Sequence, residues 1–245
     1  MKIIDAVWEK RNLGVSTQEV VIESADSVDD FLLMNKSLTA RYLVLKIPAN
    51  KAEMVNVAAD EDFQFVECQF KMIERVSKLL PEVEKVLKRN TSFTVETDNS
   101  SKMFDYMASK INEGIFHTDR ISMDPFFSEE LANKRYANWL LDLKGNPNAQ
   151  LQIMRKQGEI VAFNLNKHDG QTSYGLVGGI FKEYQKEPLG LYWGASIIKG
   201  VSTVCDVNSW EATVSSNNPG VVKIWNYFGM PISAISYIFV KHNKV

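Results

Sequence analysis

The sequence predicts an α/β protein built on a mixed β-sheet, and three patterns carry that prediction. Residues 41–47 and 63–70 are extended runs separated by a helical run at 51–59, which makes a β-α-β unit. From Gln150 onward, three extended runs are joined by the turn dipeptides Gln157-Gly158 and Asp169-Gly170, which makes an antiparallel meander. Beyond Phe181 the pattern alternates again, helix at 189–204, strand at 209–214, helix at 218–228 and strand at 232–240. The carboxy-terminal order is β-β-β-α-β-α-β.

Each element has a local cause. Residues 18–23 are β-rich, and Ser27 followed by Asp29 and Asp30 reads as an N-cap with acids in the first turn. Pro48 ends the strand at 41–47, and residues 63–70 alternate in strand fashion. The stretch from Lys78 to Ser101 is charged, with 82–89 a solvated helix face, so a domain boundary falls between Leu80 and Ser101. We place the domains at 1–95 and 96–245. Ser101 caps a helix at 102–112 that Gly114 ends, and Ser128 caps the next, with Leu131, Ala132, Trp139, Leu140 and Leu143 as its inner face. A crossover helix at 189–204 sets the third meander strand and the strand at 209–214 side by side in parallel.

Composition removes several functions. Of 245 residues 45% are hydrophobic, enough for a packed core, and 28 basic against 30 acidic residues leave a net charge of −2. No global basic field is present to hold nucleic acid or an anionic membrane, so the expected partner is a small molecule. The two cysteines, Cys68 and Cys205, make neither a disulfide framework nor a zinc site, which fits a reducing cytoplasm. Asp5 interrupts the start before a signal peptide could form, and Lys199 closes the richest apolar run, so neither secretion nor a membrane span is expected. Three histidines, at 117, 168 and 242, cannot build a multi-histidine metal centre, and no metal is expected. The GxGxxG, Walker and GxSxG motifs are missing.

The segment Tyr184-Gln185-Lys186-Glu187-Pro188-Leu189-Gly190 sits between a strand and a long helix, where first-turn amides can receive an anionic group. It resembles the acetyl-CoA pyrophosphate loop, Q/R-x-x-G-x-G/A, of the GNAT superfamily of N-acetyltransferases. Gln185 and Gly190 match, and Pro188 replaces the middle glycine. Asn218, Ile224, Gly229 and Met230 resemble the segment that closes that fold, with Trp225 where the family has tyrosine. A narrower resemblance, to the TDP-fucosamine N-acetyltransferase group, rests on His117-Thr118-Asp119-Arg120, Asp124-Pro125, Arg135-Tyr136 and Trp139. The amino-terminal half echoes the carboxy-terminal end: Asn50, a helix and Asp62-Phe63 parallel Asn218, a helix and Gly229-Met230. The resemblance therefore implies a GNAT-like mixed sheet with a degenerate, GNAT-like amino-terminal half.

It also implies acetyl transfer from acetyl-CoA to a small primary amine, an amino sugar nucleotide by the narrower resemblance. Ile180 and Phe181 would hold the pantetheine arm, and Gln185, Lys186, Leu189, Gly190 and Leu191 the pyrophosphate, with Lys182 adding charge and Asn218 and Trp225 completing the cofactor site. Glu211 would be the base, its alternative being a solvent-facing strand residue. Pro188 removes one amide donor, and the Trp225 indole cannot protonate a departing thiolate. Tyr227, two positions on, is the candidate catalytic substitute for that acid, a poor one because it points to a different helix face. The rival expectation is a fold that binds acyl-CoA or a protein without catalysis. His168 reads as a solvated turn residue, His117 as a substrate contact or a structural group, and Phe126-Phe127 as core or interface. Exposed sheet edges allow a homodimer.

Overall fold

The computed structural model describes residues 1–76, 80–89 and 92–243. Lys78, where the charged stretch begins, and Asn90 and Thr91 within the boundary zone lie outside the described residues. Ten strands form one mixed sheet: β1 (Lys2–Asp5), β2 (Thr17–Val21), β3 (Tyr42–Pro48), β4 (Gln64–Arg75), β5 (Phe93–Thr97), β6 (Ala149–Lys156), β7 (Glu159–Asp169), β8 (Thr172–Ile180), β9 (Ser209–Ser215) and β10 (Ile232–His242). Their spatial order is β1-β2-β3-β10-β4-β9-β8-β7-β6-β5. The helices are α1 (Val7–Leu13), α2 (Val28–Asn35), α3 (Ala52–Asp60), α4 (Pro81–Lys88), α5 (Ser101–Asn112), α6 (Glu129–Leu141), α7 (Gly190–Ser202) and α8 (Pro219–Tyr227).

The sheet is assembled from two similar runs, β2-α2-β3-α3-β4 and β8-α7-β9-α8-β10. In each, the first two strands pair in parallel. In each, the last strand leaves its own run: β4 pairs with β9, and β10 lies between β3 and β4. The ends of α3 and α8 match in detail. Asp62 (φ 64°) and Gly229 (φ 69°) both adopt the left-handed conformation. Phe63 N–H then returns to the Ala58 carbonyl and Met230 N–H to the Trp225 carbonyl, the closing bond of a Schellman turn in both places. Trp225 and Ala58 thus occupy equivalent helical positions. The amino-terminal match is looser, because the residue that flanks α3 is Lys51, without a side-chain cap, rather than Asn50.

Alternating side chains divide the helices between the two faces. Leu43, Leu45 and Ile47 of β3 point toward Phe31, Met54 and Ala58 of α2 and α3, while Tyr42 and Val44 point toward the α1 and α6 side. Helices α4, α7 and α8 share the first face, where Trp193, Trp210 and Trp225 join one core. Helices α5 and α6 cover the other, over Leu151, Ile153, Phe163 and Leu165. The serine caps fall at Ser27, Ser100 and Ser128, one residue earlier than expected for α5, and Ser27 with Asp30 closes a full capping box.

Three elements had no counterpart in the sequence reading: β1, α1 and β5. β5 pairs with β6 at the far edge of the sheet, and residues 95 and 96 lie within this one strand. Helix α4 is more than a solvated face, since Val83 and Val86 are buried against α7. His168 stands in β7 rather than in the turn, half-buried, with burial lowering its pKa. Trp139 is not core: it is 37% exposed. No described helix is long and apolar enough to cross a membrane.

Candidate functional site

Strands β8 and β9 begin in parallel register, Thr172 opposite Ser209 through Gly175 opposite Ala212, and then part. The cause lies partly in β8. Leu176 is one residue too many against β7, because Gly175 faces Asn166 while Val177 faces Leu165. Such a bulge leaves the extra residue's amide outside the ladder and bends the strand. Trp210 seats at the root of the gap: a side chain at Gly175 would come within 2.7 Å of its ring. Its indole N–H donates to Asn166 at 3.1 Å, and Trp225 packs on it with ring centroids 4.8 Å apart.

Two cavities meet at this gap. The smaller, about 150 Å³, runs between the parted strands and is lined by Trp193, Trp210, Trp225, Asn218 and the residues around the bulge. The larger, about 700 Å³, lies on the α1/α6 side. Tyr136, Gly175, Leu176, Ala212 and Thr213 line both, so the two adjoin at the gap.

The floor of the larger cavity is a buried ion network joining both halves of the chain. Arg135 of α6 grips Glu9 of α1 through Nε (2.8 and 2.9 Å) and Nη2 (2.5 Å). Arg120 donates to Glu19 of β2 at 2.9 Å and lies 3.4 Å from Glu9, and Lys46 of β3 donates to Glu19 at 2.7 Å. Burial works against ionisation of Glu19, but Arg120 and Lys46 outweigh it and hold its pKa down to about 2. Glu9 is lowered in the same way by Arg135 and Arg120 against its own desolvation. Glu67 behind them is the opposite case: desolvation raises it, with Gln69 donating to one oxygen at 2.8 Å. Tyr136, tilted against Phe116 and stacked on Trp139, carries the wall upward, and Trp8 and Trp139, both lining the cavity, stand partly exposed.

The sequence-predicted residues separate into three groups. Glu211 lines the larger cavity and pairs with Lys71 at 2.9 Å, and Asn218 and Trp225 line the smaller. Gly190 and Leu191 open α7, whose first intrahelical bond runs from Trp193 N–H to the Leu189 carbonyl, so the preceding first-turn amides stand outside the helical ladder. The rest are placed elsewhere. Phe181 is fully buried among Phe163 and Tyr106, and Ile180 lines neither cavity. Leu189 is buried, and its amide bonds to the Glu187 carbonyl at 2.8 Å. The Gln185 amide group donates to the Ile115 and Ile180 carbonyls, both at 3.2 Å, and so staples the loop. Lys182 and Lys186 are exposed, and Glu187 pairs with Lys156. Tyr227 is 41% exposed against Phe228, away from both cavities. His117 pairs with Glu129. Among the described residues, no group of three or more His, Cys, Asp or Glu is placed to hold a metal.

Lys46, Glu9 and Glu19 carried no motif in the sequence, since each sits alone in a strand or helix. Arg120, Arg135 and Tyr136 stood out through the narrower resemblance, Trp139 both there and as an inner-face residue of its helix, and the fold gathers all four at one cavity.

No family model matches the chain, and no curated protein does. Solved structures do. A conserved protein of unknown function from Staphylococcus epidermidis has a TM-score of 0.66 at 12% identity, over 94% of this chain and 85% of that one. A GCN5-related N-acetyltransferase from Sphaerobacter thermophilus gives 0.64 at 12%, over 92% and 73%, and one from Kribbella flavida gives 0.59 at 13%, over 94% and 82%. The fold is a GNAT fold. At these identities the likeness concerns architecture, and chemistry has to be argued from the site.

An acyl-CoA arm can be tested against the GNAT-fold site residue by residue. The gap between β8 and β9, opened at the Leu176 bulge, and the open first turn of α7 fit its acyl end and one phosphate. The rest of the usual grip is reduced. Tyr184, Gln185, Glu187 and Leu189 use their amides within the loop, and Pro188 has none. Gly190 is explained by packing, since a Cβ there would meet Ile224 at 2.9 Å.

Proposed function

We propose that the protein is a cytoplasmic acyltransferase that moves an acetyl group from acetyl-CoA to a small primary amine. The observation that carries this reading is the parting of β8 and β9 at the Leu176 bulge, where a narrow cavity adjoins a wide one. One side suits a thioester and the other an amine, with the reacting atoms meeting at the gap. Bound acetyl-CoA would supply an activated carbonyl. The Leu176 amide would polarise that carbonyl, a contribution that mutagenesis elsewhere values at about 10²–10³ in rate. Glu211, lining the acceptor side, would take the proton from the attacking amine. The new N–C bond forms as the C–S bond breaks, and the thiolate leaves with a thiol pKa of about 8.5, so transfer proceeds without a dedicated acid. The amino sugar nucleotide suggested by the narrower resemblance is one acceptor to assay.

Calorimetric titration with acetyl-CoA tests the donor site. Binding weaker than in enzymes with a complete glycine loop is expected, and absence of both heat and thermal shift at millimolar ligand would sink the proposal. The buried Trp225, in the family's tyrosine position, favours a second reading in which the fold binds acyl-CoA without turnover. If the parent binds but does not transfer while Trp225→Tyr gains thiol release, that second reading wins.

A further inference from the structure

The charges of the larger cavity answer one another within the protein. Lys46 and Arg120 are bonded to Glu19 and Arg135 to Glu9, and Asp142 is held by Arg11. Glu67 and Asp119 bring two more carboxyl groups to the Arg120 side of the cluster. A carboxylate or a phosphate on a ligand therefore finds no free cation on that floor and would be desolvated without compensation. Glu211 is a different case. It is paired with Lys71 at 2.9 Å, but the lysine side chain is 45% exposed, and so open a pair yields readily to an arriving ammonium.

What the cavity leaves free is aromatic surface. Tyr136 lines both cavities and so stands at the gap, and Trp139, one helical turn on, stacks on it with ring centroids 6.2 Å apart at 27°. Trp139 is 37% exposed, and Trp8 of α1, which lines the same cavity, is 48% exposed. Two indoles left open inside a concave site offer flat faces to an apolar body. Tyr174 adds a ring beside Glu211, its register partner across β8 and β9. Glu211 is followed by Ala212, which lines both cavities as Tyr136 does, so the carboxylate and the aromatic stack flank the same gap. A volume of about 700 Å³ is the size of a small-ligand site and has room for more than one ring.

We propose that the acceptor is a primary amine joined by a short linker to a flat aromatic body that carries no second charge: the rings lie on the stack of Tyr136 and Trp139, and the amine reaches the gap beside Glu211. The inference rests on the acyltransferase reading for the fate of the amine, but the ring seat stands on the cavity alone. Two protons leave the nitrogen in all. The ammonium gives the first to Glu211 and on to solvent. The second leaves as the N–C bond forms and the C–S bond breaks, and it ends on the released thiol.

The test ranks amines by calorimetric binding without acyl donor and by thiol release with acetyl-CoA. Tryptamine and phenethylamine carry flat rings, 2-cyclohexylethylamine has a ring that is not flat, and isobutylamine has none. Phenylalanine and a thymidine diphosphate amino sugar add charge. The expected result is tightest binding of tryptamine, roughly tenfold tighter than isobutylamine, with phenethylamine several-fold tighter than 2-cyclohexylethylamine, the worth of an aromatic pair. Phenylalanine should bind more weakly than phenethylamine. In W139L, checked for an unchanged melting temperature, the ratio of phenethylamine to 2-cyclohexylethylamine affinity falls toward one, and W8L serves if W139L does not fold. Equal binding of flat and non-flat amines, tighter binding of phenylalanine or the amino sugar nucleotide, binding of none, or a ratio unchanged in both variants overturns the proposal. Ring-selective binding without thiol release leaves the seat standing and removes the acyltransferase reading. Thiol release without ring preference does the reverse.

Discussion

Strands β2 and β3 stay paired in parallel over five positions, from Thr17 opposite Tyr42 to Val21 opposite Lys46, whereas β8 and β9 separate after Gly175 and Ala212. The elements around the two pairs follow the same order, and α3 and α8 end in the same turn, so topology does not decide which pair opens. The helical position closed by that turn differs. It is Ala58 in α3, fully buried against a continuous layer of Val20, Leu43 and Leu45, and Trp225 in α8, buried against Trp193 and Trp210. A methyl group lets the first helix lie on closed strands. An indole needs the depth that the Leu176 bulge provides, and props the second pair apart.

The sharpest way to break this comparison is to give α8 the residue that α3 has. Trp225→Ala deletes one of the largest fully buried side chains, and a loss of about 3–5 kcal/mol in urea unfolding is expected. Acyl transfer should be lost with it. If the variant instead keeps parental stability, Trp225 is not the wedge.

Part of this difference was legible in the sequence. The meander, the helix crossover that sets β8 and β9 side by side in parallel and the echo between Asp62 and Gly229 follow from periodicity and turn residues, which are local signals. The loop from Gln185 to Gly190 was found but its groups were misplaced, because a motif match does not show that the Gln185 amide is spent on Ile115 and Ile180, or that Leu189 points into the core. The charged floor was not legible: Glu9, Glu19, Lys46, Arg120 and Arg135 lie up to 126 residues apart and meet only once α1 packs on α6. The exchange of β4 and β10 between the two runs is invisible for the same reason, since pairing partners carry no mark in either strand.

Acid should expose the contribution of that floor. Glu19 is depressed from 4.5 to about 2 in the folded protein, so its share of stability is complete above pH 4.5 and is lost as pH falls toward 2. A shift of that size corresponds to about 3 kcal/mol. Glu19→Gln should therefore flatten the acid limb of a stability-against-pH curve. A limb unchanged in the variant would remove Glu19 from the cause.

A smaller effect is expected where α7 meets α8. A Cβ added at Gly194 would stand 2.5 Å from Ile224 Cγ2 and 3.0 Å from the Phe228 ring. Gly194→Ala must push α8 outward, at a cost of about 1–3 kcal/mol, offset in part by the helix preference of alanine. Because α8 carries Trp225, the same variant should loosen acetyl-CoA binding, and tighter binding would show that the gap is too narrow in the parent.

The start of the two matched helices offers the finest comparison. Asn218 accepts the Val221 N–H at 3.1 Å, whereas Lys51 caps nothing and sends its ammonium to the Asp26 carbonyl at 2.8 Å. Asn218→Ala should cost about 1 kcal/mol, the usual worth of an N-cap, and Lys51→Ala less. Asn218 also lines the smaller cavity, so its substitution should alter acetyl-CoA affinity as well as melting temperature. Lys51 lies on the closed half and should alter melting temperature alone. If the two variants change binding equally, the open and closed pairs are not acting as separate units, and the assignment of the donor to one of them fails.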